Sequence, residues 1–93
     1  MTHANEAITR YINSEIESME HTIRFTAEKE WKNTTPTKSE YARWSVNGTY
    51  NNAYGALIYA YIYAKEITEE QFTELKKKLF AAHSRIERET WKL

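Results

Sequence analysis

Apolar residues in the first third of the chain fall at Ile8, Ile12, Ile16, Met19, Ile23, Ala27 and Trp31, always three or four residues apart. An α-helix turns once every 3.6 residues, so such steps keep the side chains on one face. The pattern predicts an amphipathic helix over residues 4–32, roughly 40 Å long at about 1.5 Å per residue. A rod of that length cannot shield its own stripe. It needs neighbours of similar length.

Asn33-Thr34-Thr35-Pro36 is the one sizeable turn cluster, and proline disfavours α conformation in the residue before it. Thr37 with Glu40 three residues on is a capping-box signature, in which hydroxyl and carboxylate each satisfy a free backbone N–H. Thr35 as cap with Pro36 in the first helical turn competes with it. A second helix is expected over 38–65. Asn47-Gly48 is a turn dipeptide and could divide it. The seam Ala42, Val46, Thr49, Ala53, Ala56, Ala60, Ala64 nevertheless keeps its phase through Gly48, which favours one continuous helix, bent there if anywhere.

The third helix is expected over 69–91. Thr68 and Gln71 form a second capping box, Glu69 and Glu70 meet the positive end of the helix dipole, and Ile67 and Phe72 are placed for a hydrophobic staple. Phe72, Leu75, Leu79, Ala82 and Ile86 give its apolar face. Short connections make successive helices antiparallel. The expected fold is all-α: one domain over residues 1–93, an elongated antiparallel three-helix bundle that oligomerises.

Composition sharpens this picture. The chain has 93 residues, two Gly, one Pro and no Cys, and all 13 acidic residues are Glu. Few turn residues and no Asp suit long helices. Without Cys there is no disulfide scaffold, thiol nucleophile or Cys-based zinc site. Thirteen basic residues balance the 13 acidic ones, so no overall basic excess points to nucleic acid. Lys76-Lys77-Lys78 reads as a solvated face. The uncharged run 53–64 is too short for a membrane span of about 20 residues. The N-terminus lacks a signal-peptide pattern, so a cytoplasmic location is expected.

Glu17/His21 and His83/Glu87 lie one helical turn apart, but Glu17 and His21 fall on the polar side of the first helix. The inward Glu-x-x-His of dicarboxylate bundles does not occur. No nucleophile elbow or Gly-rich phosphate loop is present. No metal, cofactor or enzymatic activity is expected.

The segment that stands out is 41–61. Arg43, Asn47, Tyr50, Tyr54 and Tyr61 share a face roughly 80° round from the alanine seam, with Trp44 and Asn51 nearby. No carboxylate occurs between Glu40 and Glu66. Tyr, Trp and Arg are typical of interface hot spots, which suits a protein partner. Tyr planes, amides and Arg43 also suit a nucleotide-like ligand. The third reading is that the stripe is the protein's own bundle or dimer interface. The second helix further carries apolar side chains round most of its circumference, more than two neighbours cover. Ala53, Tyr59, Ala60 and Tyr63 are the expected oligomer contacts.

Residues 67–79, Ile-Thr-Glu-Glu-Gln-Phe-Thr-Glu-Leu-Lys-Lys-Lys-Leu, resemble the helical hairpin ending of many short bacterial and phage proteins. In size and style the chain is similar to small phage-encoded accessory proteins. That group includes inhibitors of bacterial defence systems, some binding an effector protein and some sequestering cyclic nucleotides in oligomers. The resemblance implies a non-enzymatic inhibitor that occludes or scaffolds a protein partner, or alternatively an oligomeric nucleotide-binding protein. It assigns no residue a role. Helical chorismate mutases are similar in size and helix count, but their Arg-x-x-Ile-Asp pattern is absent and the activity is not transferred.

Overall fold

The computed structural model describes residues 3–32 and 34–93. Asn33, part of the expected turn cluster, lies outside the described residues, as do Met1 and Thr2. The chain forms three α-helices: α1 (His3–Glu28), α2 (Lys38–Ile58) and α3 (Glu69–Thr90). A π-helical segment, Tyr59–Tyr63, continues α2 directly. No strand occurs among the described residues.

Contacts at the ends fix the helix directions. Lys38 Nζ at the start of α2 donates to the Ala27 carbonyl near the end of α1 at 2.9 Å. Ser39 Oγ donates to the Thr90 carbonyl at the end of α3 at 2.8 Å. At the opposite end Tyr61 stacks on Phe72, their centroids 4.6 Å apart. Thus α2 runs antiparallel to both neighbours, and α1 and α3 lie parallel, tied by Arg85 to Glu20 at 2.9 Å. The bundle measures 47 × 18 × 16 Å.

The alanine seam turns inward. Ala42, Val46, Ala53 and Ala60 are buried with Leu57, against Ile12, Ile16 and Met19 of α1 and Leu79, Ala82 and Ile86 of α3. Each large side chain buried here stabilises the fold by about 1.5–3 kcal/mol. The α2 helix passes through Gly48 without a break. Gly48 and Gly55 both lie on its exposed side with ordinary negative φ, and a Cβ at either would meet nothing within 4 Å. Each costs about 1 kcal/mol relative to alanine in a helix interior. Nothing inside the subunit requires glycine at these positions.

Two local details differ from the sequence pattern, the first and third below, and one, the cap of α2, decides between its alternatives. First, α1 ends at Glu28, short of residue 32. After Ile23 the buried residue is Thr26, three positions on, whereas Ala27 is exposed. Repeated four-residue steps drift about 40° each round an α-helix, so Ala27 and Trp31 rotate off the core face. Trp31 instead folds back, its Nε1 donating to the Pro36 carbonyl at 3.1 Å and its ring tilted against Tyr41 at 5.2 Å. Second, Thr37 caps α2 in preference to Thr35. Its hydroxyl accepts from Glu40 N at 3.1 Å, and the Glu40 carboxylate accepts from Thr37 N at 3.2 Å. That backbone N–H holds the Glu40 pKa below the usual carboxylate range. The Thr68–Gln71 box on α3 is built the same way.

Third, the second helix does not stay regular to residue 65. Ala56, Ala60 and Ala64 are two four-residue steps in succession, which drift out of phase in an α-helix. The wider π turn winds less per residue, and Ala60 stays buried. Lys65 then adopts φ 53°, and Glu66 N donates to the Ala60 carbonyl at 2.8 Å. This is the left-handed residue that commonly ends a helix, usually a glycine.

Among the described residues no helix is long and apolar enough to cross a membrane.

Candidate interaction surface

The stripe singled out in the sequence faces α3. Arg43 lies flat on Trp91, its guanidinium carbon 3.6 Å from the ring centroid, and Arg43 Nη1 donates to Ser39 Oγ. Asn47 Oδ1 accepts from His83 Nε2–H at 2.7 Å. Tyr50 stacks on that imidazole at 4.0 Å with the planes 18° apart, and Tyr54 tilts against Tyr50 at 6.1 Å. Tyr61 covers Phe72. Burial pushes the His83 pKa below its ordinary value, with Glu87, 3.9 Å away, opposing. It likewise raises the Tyr50 phenol.

Four of the residues expected to meet a partner or ligand, Arg43, Asn47, Tyr50 and Tyr61, therefore hold α2 to α3 within one subunit, and Tyr54 packs on Tyr50 and the core. The aromatic faces, amide and guanidinium read as a nucleotide site are already stacked on or hydrogen-bonded to Trp91, His83 and Phe72, or to one another in the case of Tyr50 and Tyr54. Ala53 and Ala60, expected at an oligomer interface, are instead core residues with 0% and 4% exposure. Their small size serves the close approach of α2 to its own neighbours.

The remaining expected residues point outward. Trp44 is 60% exposed, Tyr59 62% and Tyr63 72%, and Asn51 is exposed as well. Tyr59 and Tyr63 stack on each other at 5.9 Å. Tyr41 and Ile62 join them on the same outer side of α2, with Gly48, Asn52 and Gly55 between. Across the α2–α3 groove, Phe80 and Trp91 are 60% and 65% exposed. His83 pairs with Asn47, and Phe80 lies one turn before His83, so it stands level with Asn51. On α1, Phe25 is half exposed and stacks loosely on His21 at 6.1 Å.

Sequence reasoning did not assign Tyr41, Ile62, Phe80 or Trp91 to a site. Their signal is phase: each lies far round its helix from the buried positions. The core seam had to be located before its opposite face could be read.

The two His/Glu pairs stay apart, His21 on outer α1 and His83 between α2 and α3. Among the described residues no group of three or more His, Cys, Asp or Glu is placed to hold a metal ion. A shallow groove of about 360 Å³ opens between α1 and α3, lined by Thr9, Gln71, Glu74, Leu75 and Lys78 among others. No protein-family model, curated protein or solved structure matches the chain.

Proposed function

We propose that this is a non-enzymatic interaction protein that binds and occludes or scaffolds a protein partner. One observation carries the reading: large apolar side chains, six of them aromatic, stay exposed along α2, the π-helical segment that continues it, and α3 with its C-cap after the bundle has closed its own core. Exposed apolar residues scattered singly are ordinary, but this many on one side of a small subunit mark an interaction surface. Trp, Tyr and Arg dominate binding hot spots. Such a mode of action agrees with the small phage-encoded accessory proteins that the chain resembles in size and style, a group that includes inhibitors of bacterial defence systems. A nucleotide-sequestering role has less support, because the side chains it would use are engaged between α2 and α3.

The test is affinity capture from a native lysate with tagged protein, compared with Phe80→Ala and Trp91→Ala variants. Phe80 is exposed, so its variant should fold normally; Trp91 is exposed but also carries Arg43, so an unchanged helical circular dichroism spectrum is required of the Trp91→Ala protein before its binding is compared. A specifically captured protein should bind them more weakly by about 2 kcal/mol, roughly thirtyfold in Kd. Equal binding by all three proteins would refute a role for this band. A rise in melting temperature on adding mono- or cyclic nucleotides would favour the sequestering role instead.

A further inference from the structure

The outer face of α2 has an internal symmetry. Tyr41, Gly48, Gly55 and Ile62 lie seven residues apart, and Trp44, Asn51 and Ile58 form a second row three residues behind them. Together they make a heptad seam directed away from the subunit's own core. All are exposed except Ile58, which is partly buried. The seam is also palindromic to within one residue about its midpoint at Asn51-Asn52. Laid antiparallel on a second copy with that midpoint on the axis, Gly48 lies level with Gly55 and Tyr41 with Ile62, while Trp44 and Ile58, and Asn51 and its copy, are offset by one residue, about 1.5 Å.

We infer that this face binds a second copy of the chain, α2 against α2 antiparallel, with a twofold axis at Asn51-Asn52; this rests on reading the exposed band as an interaction surface. A twofold interface requires one patch to complement itself, and this one does so in size at every layer: small on small at the centre, bulky on bulky at the ends. Charge does not oppose self-pairing. Arg43 is the one charged residue between Glu40 and Lys65, and it lies on Trp91. The two glycines, which nothing inside the subunit requires, let two backbones approach closely at the centre. Asn51 beside the axis can pair amide to amide with its own copy, a polar contact of the kind that fixes register.

The area suffices. An aromatic side chain offers about 150–250 Å² when fully covered. On that scale the exposed parts of Tyr41, Trp44, Tyr59 and Ile62, with the glycines and amides between, amount to about 600 Å² per copy. The pair would bury about 1,200 Å², the lower end of stable specific interfaces. Phe80 and Trp91 flank the seam and remain available to a different protein.

The chain has no cysteine, so single substitutions report geometry cleanly. Sedimentation equilibrium of the whole protein should give twice 11.1 kDa at tens of micromolar. Gly55→Glu should raise the dissociation constant at least tenfold with an unchanged helical circular dichroism spectrum. Under mild oxidation Asn51→Cys should cross-link to itself. Ile62→Cys should not, because an antiparallel pair holds the two copies of residue 62 roughly 30 Å apart. A strict monomer at 200 µM overturns the inference, as does cross-linking at residue 62 as efficient as at residue 51. A monomer that still captures another protein through Phe80 and Trp91 would sink the dimer alone. A dimer without such capture would sink the wider partner-binding reading alone.

Discussion

Single side chains carry two unusual environments. Thr26 is 1% exposed, and its hydroxyl makes no hydrogen bond. Valine has nearly the same shape without the polar atom. Thr26→Val should therefore raise stability by about 1 kcal/mol, read as a higher urea midpoint with an unchanged slope. His83 is the second case. Its pKa is depressed by burial, so at mildly acidic pH the unfolded chain binds more protons than the native one. The stability this provides is complete above the unfolded value near 6.5 and is lost as pH falls from there through the native pKa. The urea midpoint should drop between pH 7.5 and 5.5, and His83→Gln should drop less, because glutamine does not titrate. An equal drop in both proteins would place the pH dependence elsewhere.

At the scale of the elements, what the sequence displayed was set by chemistry local to a few residues. Both capping boxes are legible because they need two side chains at fixed spacing and no tertiary partner: Thr37 with Glu40, Thr68 with Gln71. The alanine seam is legible because its phase survives Gly48. The end of α1 is not, since its stop is made by distant groups: Lys38 from the next helix on the Ala27 carbonyl, and Trp31 reaching Pro36 and Tyr41. The stripe from Arg43 to Tyr61 was legible as one face but not as to what it faces, because sequence spacing gives an angle without a neighbour. Its partners, His83, Trp91 and Phe72, all lie on α3. The end of the second helix makes its own prediction. Lys65 holds φ 53°, a left-handed conformation that strains any side-chain-bearing residue. Lys65→Gly should stabilise the protein by about 1 kcal/mol, measured by chemical denaturation.

For the whole molecule, the two glycines of α2 set folding against assembly. Each weakens its helix by about 1 kcal/mol relative to alanine, in open space at ordinary φ. The Gly48→Ala/Gly55→Ala double variant should therefore unfold at higher urea than the native sequence when both are dilute and monomeric, by about 2 kcal/mol. Assembly adds the opposite term. A dimer that binds only folded subunits makes the melting temperature rise with protein concentration. In the variant, methyl groups would stand between the two backbones at the layer where Gly48 meets Gly55, so that rise should flatten. The expected result is convergence: the variant is the more stable protein when dilute, and its advantage shrinks as concentration increases. Parallel melting curves at every concentration would mean that the glycines face only water, and their cost in α2 would then have no counterpart in the assembly.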